Sequence, residues 1–477
     1  MVYGQLRVCG PLHKYDVPSE EPCYTDISIF DADAGRVTQA AVPLLLPHEM
    51  FSFLMQDVRL ARACVGADPS SFWARMAALP HMEGHPIASN PSKWATCLPL
   101  GFHGDAAKFS ATDSALALSW NGLLAESRSS LSTRHLIAVV PTAFLIDVSK
   151  WELCKVITWS LAAIMDGRHP VCDHKGQPWT HAARRERAGQ PLAEQWSGAT
   201  VDFRGDWGHQ QTFWRLPSPT GKKMCWLCEA TKTGQTSWLF CGPNAQWRQR
   251  PRDTEWYLGR RRNLGINPLA LLPGWRVQFI RMDEMHAVKA GIARWAFAGA
   301  LLDMAWNGAF GPPPLDDQLQ KAWVQFRAWR RRHRIQANPR KFTPDRLGVG
   351  RGEFAESASK AFNTRVLVSW LSECFQSWAL ATVSDRARVT AMVLHSLNDM
   401  FHLMERCTGL FFPAEVAERF CNAGDRAMLG YMWLAKDSTL RGLLVWPAHP
   451  KVHALACLCA RKGETRNTQR AWATKIF

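Results

Sequence analysis

Two carboxylates stand where apolar runs of the chain give out. Asp105 follows "CLPLGFHG", and Asp283 follows "WRVQFIRM", with Glu284 and then His286 behind it. Two carboxylates held side by side repel unless a divalent cation neutralises them. Magnesium accepts such oxygen ligands and keeps several of its waters. A pair of such ions can activate a water or a 3′-hydroxyl and stabilise the leaving oxygen of a phosphodiester. A second kind of chemistry sits in "MCWLCEATKTG", where Cys225 and Cys228 have the spacing with which two thiolates hold one tetrahedral zinc ion. Two more ligands are needed, and Cys241, His209 and the Cys172/His174 pair are available without a convincing spacing. Taken singly, an aspartate at a strand end is most often a turn or helix cap, and a histidine such as His286 is most often structural.

These residues need elements to position them. The segment "PHEMFSFLMQDVRLARACVG" has helical periodicity after Pro47, with Phe51, Leu54, Met55, Val58 and Leu60 on its inner face. Residues 1–90 therefore read as an N-terminal helical region. In 91–166, "WATCLPLGFHGDAA", "SALALSW" and "RHLIAVVPTAFLI" read as three strands, the first closed by Asp105. "SKWELCKVITWSLAAIMDG" reads as a helix capped by Ser149 and stopped by Gly167. Residues 167–270 are polar and rich in Cys, Trp and Arg, and read as an inserted subdomain. In 271–310, "GWRVQFIRMD" reads as a fourth strand and "EMHAVKAGIARWAFAGALLDMAW" as a helix. Residues 311–477 read as a helical insertion and C-terminal helices, with a basic loop at 330–352. Three strands, a helix and a fourth strand is the opening order of the ribonuclease H fold. The expected fold class is thus α/β: a ribonuclease H-like mixed sheet with a Cys/Trp-rich insertion and a large helical region. In that order the first and fourth strands are neighbours, which would bring Asp105 and Asp283 together. Asp206, in "GDWGHQQTFW", competes as an active acid but ranks lower because it falls in the expected insertion.

"HGDAAKF", a CxxC insertion, "DEMH" and a late "HPKVHALACLCARKGETRN" come in the order seen in a known family. The chain from about residue 40 onward resembles the DDE-type transposases of the CACTA and Plavaka-like groups, as transposase-derived proteins of dinoflagellate-type genomes. The resemblance implies that Asp105 and Asp283 are the first and second ligands of magnesium or manganese. It implies that His286 orients Asp283 or approaches the phosphate. Its third acid lies on a helix beyond a helical insertion, which makes Glu405 in "LHSLNDMFHLMERCTGLF" the first choice, with Asp399 on the same helix and Glu373 as alternatives. The chain stops soon after "PKVH", where related proteins continue with further acidic residues, so a truncated or inactive element is a second expectation.

Composition bounds the function. The chain has 477 residues and a formal net charge of +16, from 57 Lys+Arg against 41 Asp+Glu. Such a surplus favours polyanionic partners, DNA first. It is clustered at Arg330, Arg331, Arg332, Arg334, Arg340 and Lys341, and Lys451 or His453 would contact phosphates or cap a helix. The 23 tryptophans, several beside arginine, suit nucleotide stacking and ordinary packing equally. Mean hydropathy is −0.20 and no apolar run is long enough to cross a bilayer, so no membrane partner is expected. The N-terminus has no basic-then-apolar signal pattern and the 14 cysteines are scattered, which predicts an intracellular protein with reduced thiols; a nuclear location is a further expectation, with which the basic runs are compatible. A homo-oligomer is a further expectation. There is no G-x-S-x-G and no P-loop. The competing functions are a metal-dependent transposase that cuts and joins DNA, a catalytically inactive basic DNA-binding protein, and a protein-interaction scaffold.

Overall fold

The computed structural model describes residues 22–125, 133–260, 265–407 and 409–460. The described chain divides into two compact units. One takes 22–216 and Arg252–Arg281, the other Pro217–Pro251 and 282–460.

The first unit begins with a hairpin where helix was expected. Strands β1 (Cys23–Asp31) and β2 (Arg36–Leu44) pair antiparallel. Asp31 Oδ1 accepts the N–H groups of Asp33 and Ala34 and closes the turn. Helices α1 (Pro47–Gln56), α2 (Val58–Val65) and α3 (Pro69–Ala77) follow. Phe51, Leu54, Met55 and Leu60 are buried as their spacing predicts. Val58 is 69% exposed, because Asp57 breaks the helix before it and caps α2.

The sheet is built from β3 (Cys97–Lys108), β4 (Ser114–Gly122), β5 (His135–Pro141) and β6 (Ser197–Arg204). Its order is β5-β4-β3-β6, with β3 antiparallel to β4 and parallel to β6. Helix α4 (Asp147–Asp166) makes the crossover that a parallel pair requires. Ser149 Oγ accepts the Ile146 N–H at its start, and Gly167 ends it at φ +72°. Leu153, Ile157, Leu161 and Ile164 of α4 are buried, as are Leu98, Leu100, Phe102, Val201 and Phe203 of the sheet. Short helices α5 (Ala182–Arg187), α6 (Trp207–Phe213) and α7 (Thr254–Leu258) complete the unit.

Two expectations are corrected here. Residues 167–270 are not one insertion: β6 lies inside them as an edge strand of the sheet, and only Pro217–Pro251 groups with the second unit. β6 is disguised by Asp202 and Arg204, which read as surface charges. Both are buried, Arg204 Nε lying 3.0 Å and Arg281 Nε 2.8 Å from the Asp202 carboxylate. Nor is "GWRVQFIRMD" a full strand. Val277–Phe279 is a 3-10 turn, and only Ile280 bridges in parallel to Phe203. The Val277 N–H is spent on Thr254 Oγ1, and Arg276 is tied to the carbonyls of His81 and Glu83.

The second unit is helical. A π-helix, Met285–Ile292, runs into α8 (Ala293–Trp306). Then come α9 (Leu315–Arg332), α10 (Ala361–Ala381), α11 (Asp385–Arg406), α12 (Ala414–Leu440) and α13 (Lys451–Ala460). Arg330, Arg331 and Arg332 thus lie in the last helical turn of α9 rather than in a loop. Three helices meet at one buried ion group: Arg386 donates to Asp303 Oδ1 from Nε at 3.1 Å and Nη2 at 3.0 Å, and also pairs with Asp437. Trp446 Nε1 donates to Asp303 Oδ2 at 3.2 Å. Among the described residues no helix is long and apolar enough to cross a membrane.

Removing one partner of a buried pair strands the other charge. Asp303→Ala is therefore expected to destabilise the helical unit by about 3 kcal/mol in chemical denaturation. A loss within the range of an ordinary surface substitution would show that Asp437 alone satisfies Arg386.

Candidate functional site

Two clusters of chemically competent side chains lie in the two units. In the first unit the parallel register of β3 and β6 ends with His103 opposite Arg204. Two residues beyond each stand Asp105, still inside β3, and Asp206, just past β6. A cavity of about 350 Å³ is lined by both, together with Thr142, Lys150, His209 and Thr212. Asp206 caps α6 by accepting the His209 N–H at 2.6 Å. The His209 ring sits where residue 104 has no side chain: a Cβ on Gly104 would lie 2.2 Å from it. Burial pushes the His209 pKa down to about 4, so the imidazole is neutral near pH 7. Its Nε2 is buried without a hydrogen-bond partner. A carboxylate pair, a lysine and a neutral imidazole around one cavity can hold a hard cation and handle protons. The acid that follows the strand beside β3 is thus Asp206 and not Asp283, because the neighbouring strand is β6.

Asp283 and Asp105 fall in different units. Asp283 is buried and bonds to the Nδ1 of His286, and its Oδ1 accepts the His286 N–H at 3.3 Å. The expected pairing of Asp283 with His286 is therefore present, as a local contact at the start of the π-helix. Next to it, Glu284 is paired with Lys289 at 3.2 Å; burial raises its pKa and the lysine opposes the shift. Glu405 lies on α11 as expected, but its carboxylate is engaged by Arg365. Glu373 accepts from Trp329 Nε1 at 2.8 Å, and Asp399 lies 3.4 Å from Arg419.

The second cluster is in the helical unit. Cys225, Cys228, His453 and Cys457 are all buried, and their ligand atoms lie within 4.8 Å of one another. The Sγ atoms of Cys225 and Cys228 are 3.6 and 4.0 Å from that of Cys457. His453 Nε2 is 3.4 Å from Cys228 Sγ and 3.2 Å from Cys457 Sγ. Four ligands around an ion with metal–sulfur bonds of roughly 2.3 Å are separated by about 3.8 Å, the edge of the tetrahedron. The cluster has that size, and three sulfurs with one nitrogen is the donor set of a structural tetrahedral site. Burial opposes ionising Cys225, but hydrogen bonds from Cys228 and Cys457 and the nearby His453 hold its pKa well below the usual thiol range. Cys228 and Cys457 are pushed up, first by their hydrogen bonds to Cys225.

Neither Cys241, His209 nor the Cys172/His174 pair completes this set. The missing ligands are His453 and Cys457, four residues apart on one face of α13. The signal was present in "HALAC": C-x2-C followed far along the chain by H-x3-C. His453 is thus not a phosphate contact. Lys451, at the start of α13, donates to the Ala290 carbonyl at 3.4 Å and lies over the Trp295 ring. Of the basic residues, Arg330 bonds to the Ala337 carbonyl and Arg332 lies 4.0 Å from Glu373. Arg331 and Arg334 are exposed, and Arg340 and Lys341 are exposed and line a cleft.

No protein-family model and no curated protein matches the chain.

The cluster should carry one metal ion per chain. Cys457→Ser is expected to remove most of it by elemental analysis, and cobalt bound in its place should show the strong visible bands of a tetrahedral thiolate site. Because the ligand thiols must lose protons, the ion should be released as the pH is lowered. Full metal content in Cys457→Ser would rule the cluster out.

Proposed function

We propose that the chain is a transposase-derived, ribonuclease H-like protein that cuts and joins DNA strands with magnesium or manganese. Asp105 and Asp206 are its paired metal-binding acids. The observation that carries this reading is the register of the two parallel strands: two residues past their last paired positions, His103 and Arg204, each segment carries an aspartate, and both line one cavity. The sheet order, with three antiparallel strands and a fourth parallel to the first after a helix, supports the same reading. So does the net charge of +16, which favours a polyanionic substrate.

Within this reading the chain's own groups have separable tasks. Asp105 and Asp206 would supply oxygen ligands, and a bound divalent ion would lower the pKa of its water and steady the leaving oxygen. Lys150 offers a positive charge at the cavity wall. His209, held neutral by burial, keeps the second acid in place through its backbone N–H. The Cys225, Cys228, His453 and Cys457 cluster binds zinc in an architectural role, since four protein ligands leave no open position for a substrate. The protein acts on DNA in the nucleus.

The test is nicking of supercoiled DNA with magnesium or manganese. Asp105→Asn and Asp206→Asn are each expected to lower the rate at least about a hundredfold, as the loss of a carboxylate that would hold the metal should, while duplex binding is unchanged. If the wild-type chain binds DNA in a salt-sensitive way but never nicks it, the non-catalytic DNA-binding reading takes over. If nicking survives in Asp206→Asn, the assignment of the second acid is wrong.

A further inference from the structure

The helical unit contains a cleft that neither metal cluster uses. It has a volume of about 300 Å³ and runs between the segment after α9 and the start of α10. Four cations line it: Arg340, Lys341, Arg346 and Lys360. All four are exposed, and no carboxylate lines the cleft. No ion pair among the described residues involves any of the four. The buried and half-buried cations of the unit, by contrast, are matched: Arg248, Arg294, Arg365, Arg386 and Lys289 each sit against an acid. Four like charges gathered without a counter-charge repel one another, which costs stability unless an anion fills the space between them.

Two further features suit an anion of a particular kind. The cleft opens at the N-terminus of α10, a helix of 21 residues whose first turn has no side-chain cap. Its free N–H groups and the positive end of its dipole add to the field of the cations. The floor is rigid. Phe342 lines the cleft and stacks on Trp370, with ring centroids 5.8 Å apart, while Phe297 and Phe326 hold it from other sides. Two arginine forks and two lysines in one cleft offer more donors than a single small anion takes up, and suit successive phosphates on a chain.

We propose that this cleft grips the phosphodiester backbone of nucleic acid, as a contact separate from the cavity of Asp105 and Asp206. The interaction goes beyond the strand-cleavage reading and does not require it. It positions the nucleic acid through its phosphates, a kind of contact that carries no sequence information.

The test is binding of a short mixed-sequence DNA duplex, followed by anisotropy over about 50 to 200 mM salt, the range in which counterion release is measured. The full chain is compared with R340Q/K341Q/R346Q/K360Q. A charge-matched control neutralises exposed cations elsewhere, R62Q/K222Q/K223Q/K232Q. Thermal unfolding of each variant checks that it folds. The cleft variant should bind at least about tenfold more weakly, and its plot of log K against log salt should be shallower by up to about 3.6, that is about 0.9 for each of the four lost phosphate contacts. The control should keep most of the wild-type affinity and slope. Equal losses in the two variants would overturn the proposal, since net charge alone would then explain binding. So would wild-type binding to anionic lipid vesicles but not to the duplex. A wild-type chain that binds through the cleft yet never nicks DNA leaves this inference standing and removes only the strand-cleavage reading.

Discussion

The parallel pairing of β3 with β6 is the constraint on which the first unit depends. A parallel neighbour cannot be reached by a tight turn, so the chain needs a crossover, and α4 supplies it. β3 is then hydrogen-bonded along both edges, to β4 and to β6, and its residues Cys97, Leu98, Leu100 and Phe102 are almost fully buried. The same pairing brings Asp202 and Arg204 into the interior, where the Asp202 carboxylate meets both Arg204 and Arg281, and Arg204 also donates to Asn121 Oδ1. Arg281 is delivered by the chain just after Ile280 bridges to Phe203, and its N–H donates to the Phe203 carbonyl at 2.9 Å. One register thus sets the sheet, the ion group at its edge and the place of the two aspartates that follow its last paired positions.

The second unit solves a different problem. Residues 217–251 have little regular secondary structure and cannot bury enough surface to hold themselves. Trp226 and Trp247 are fully buried, and Trp247 meets His453 edge to face at 4.5 Å. The Cys3His cluster clips this segment to α13, joining residues as far apart in sequence as Cys228 and His453, 225 positions away. A clip that closes so long a loop removes much freedom from the unfolded chain. Arg248, 2.7 Å from Asp425 on α12, adds a second tie. The Cys3His cluster and the carboxylate cavity thus lie in separate units, and only the first has the donor set of a tetrahedral site.

Charge follows the same division. Inside both units arginines are matched by acids, as at Asp202, Asp303 and Asp425. Exposed cations without an ion pair lie on the surface, among them the four that line the cleft at the start of α10.

Much of the local structure was legible in the amino-acid sequence. The alternation of "SALALSW", the apolar run "HLIAVV", the helix ending at Gly167 and the CxxC pair follow from side-chain periodicity, backbone freedom and ligand spacing, which act over a few residues. Asp283 beside His286 was legible for the same reason, being one helical turn long. What sequence alone did not decide was which distant segments meet. β6 is disguised because its Asp202 is met by Arg281, 79 positions away, so the place of Asp206 just past an edge strand is not legible locally. The segment before Asp283 is apolar enough for a strand, yet its N–H groups are drawn to Thr254 and its arginine to the loop near His81. His453 and Cys457 read as a helix face until tertiary packing turned that face toward Cys225 and Cys228. Periodicity sets what a segment can become; the partner of each buried charge, N–H or thiol is settled only by the packing of the whole chain.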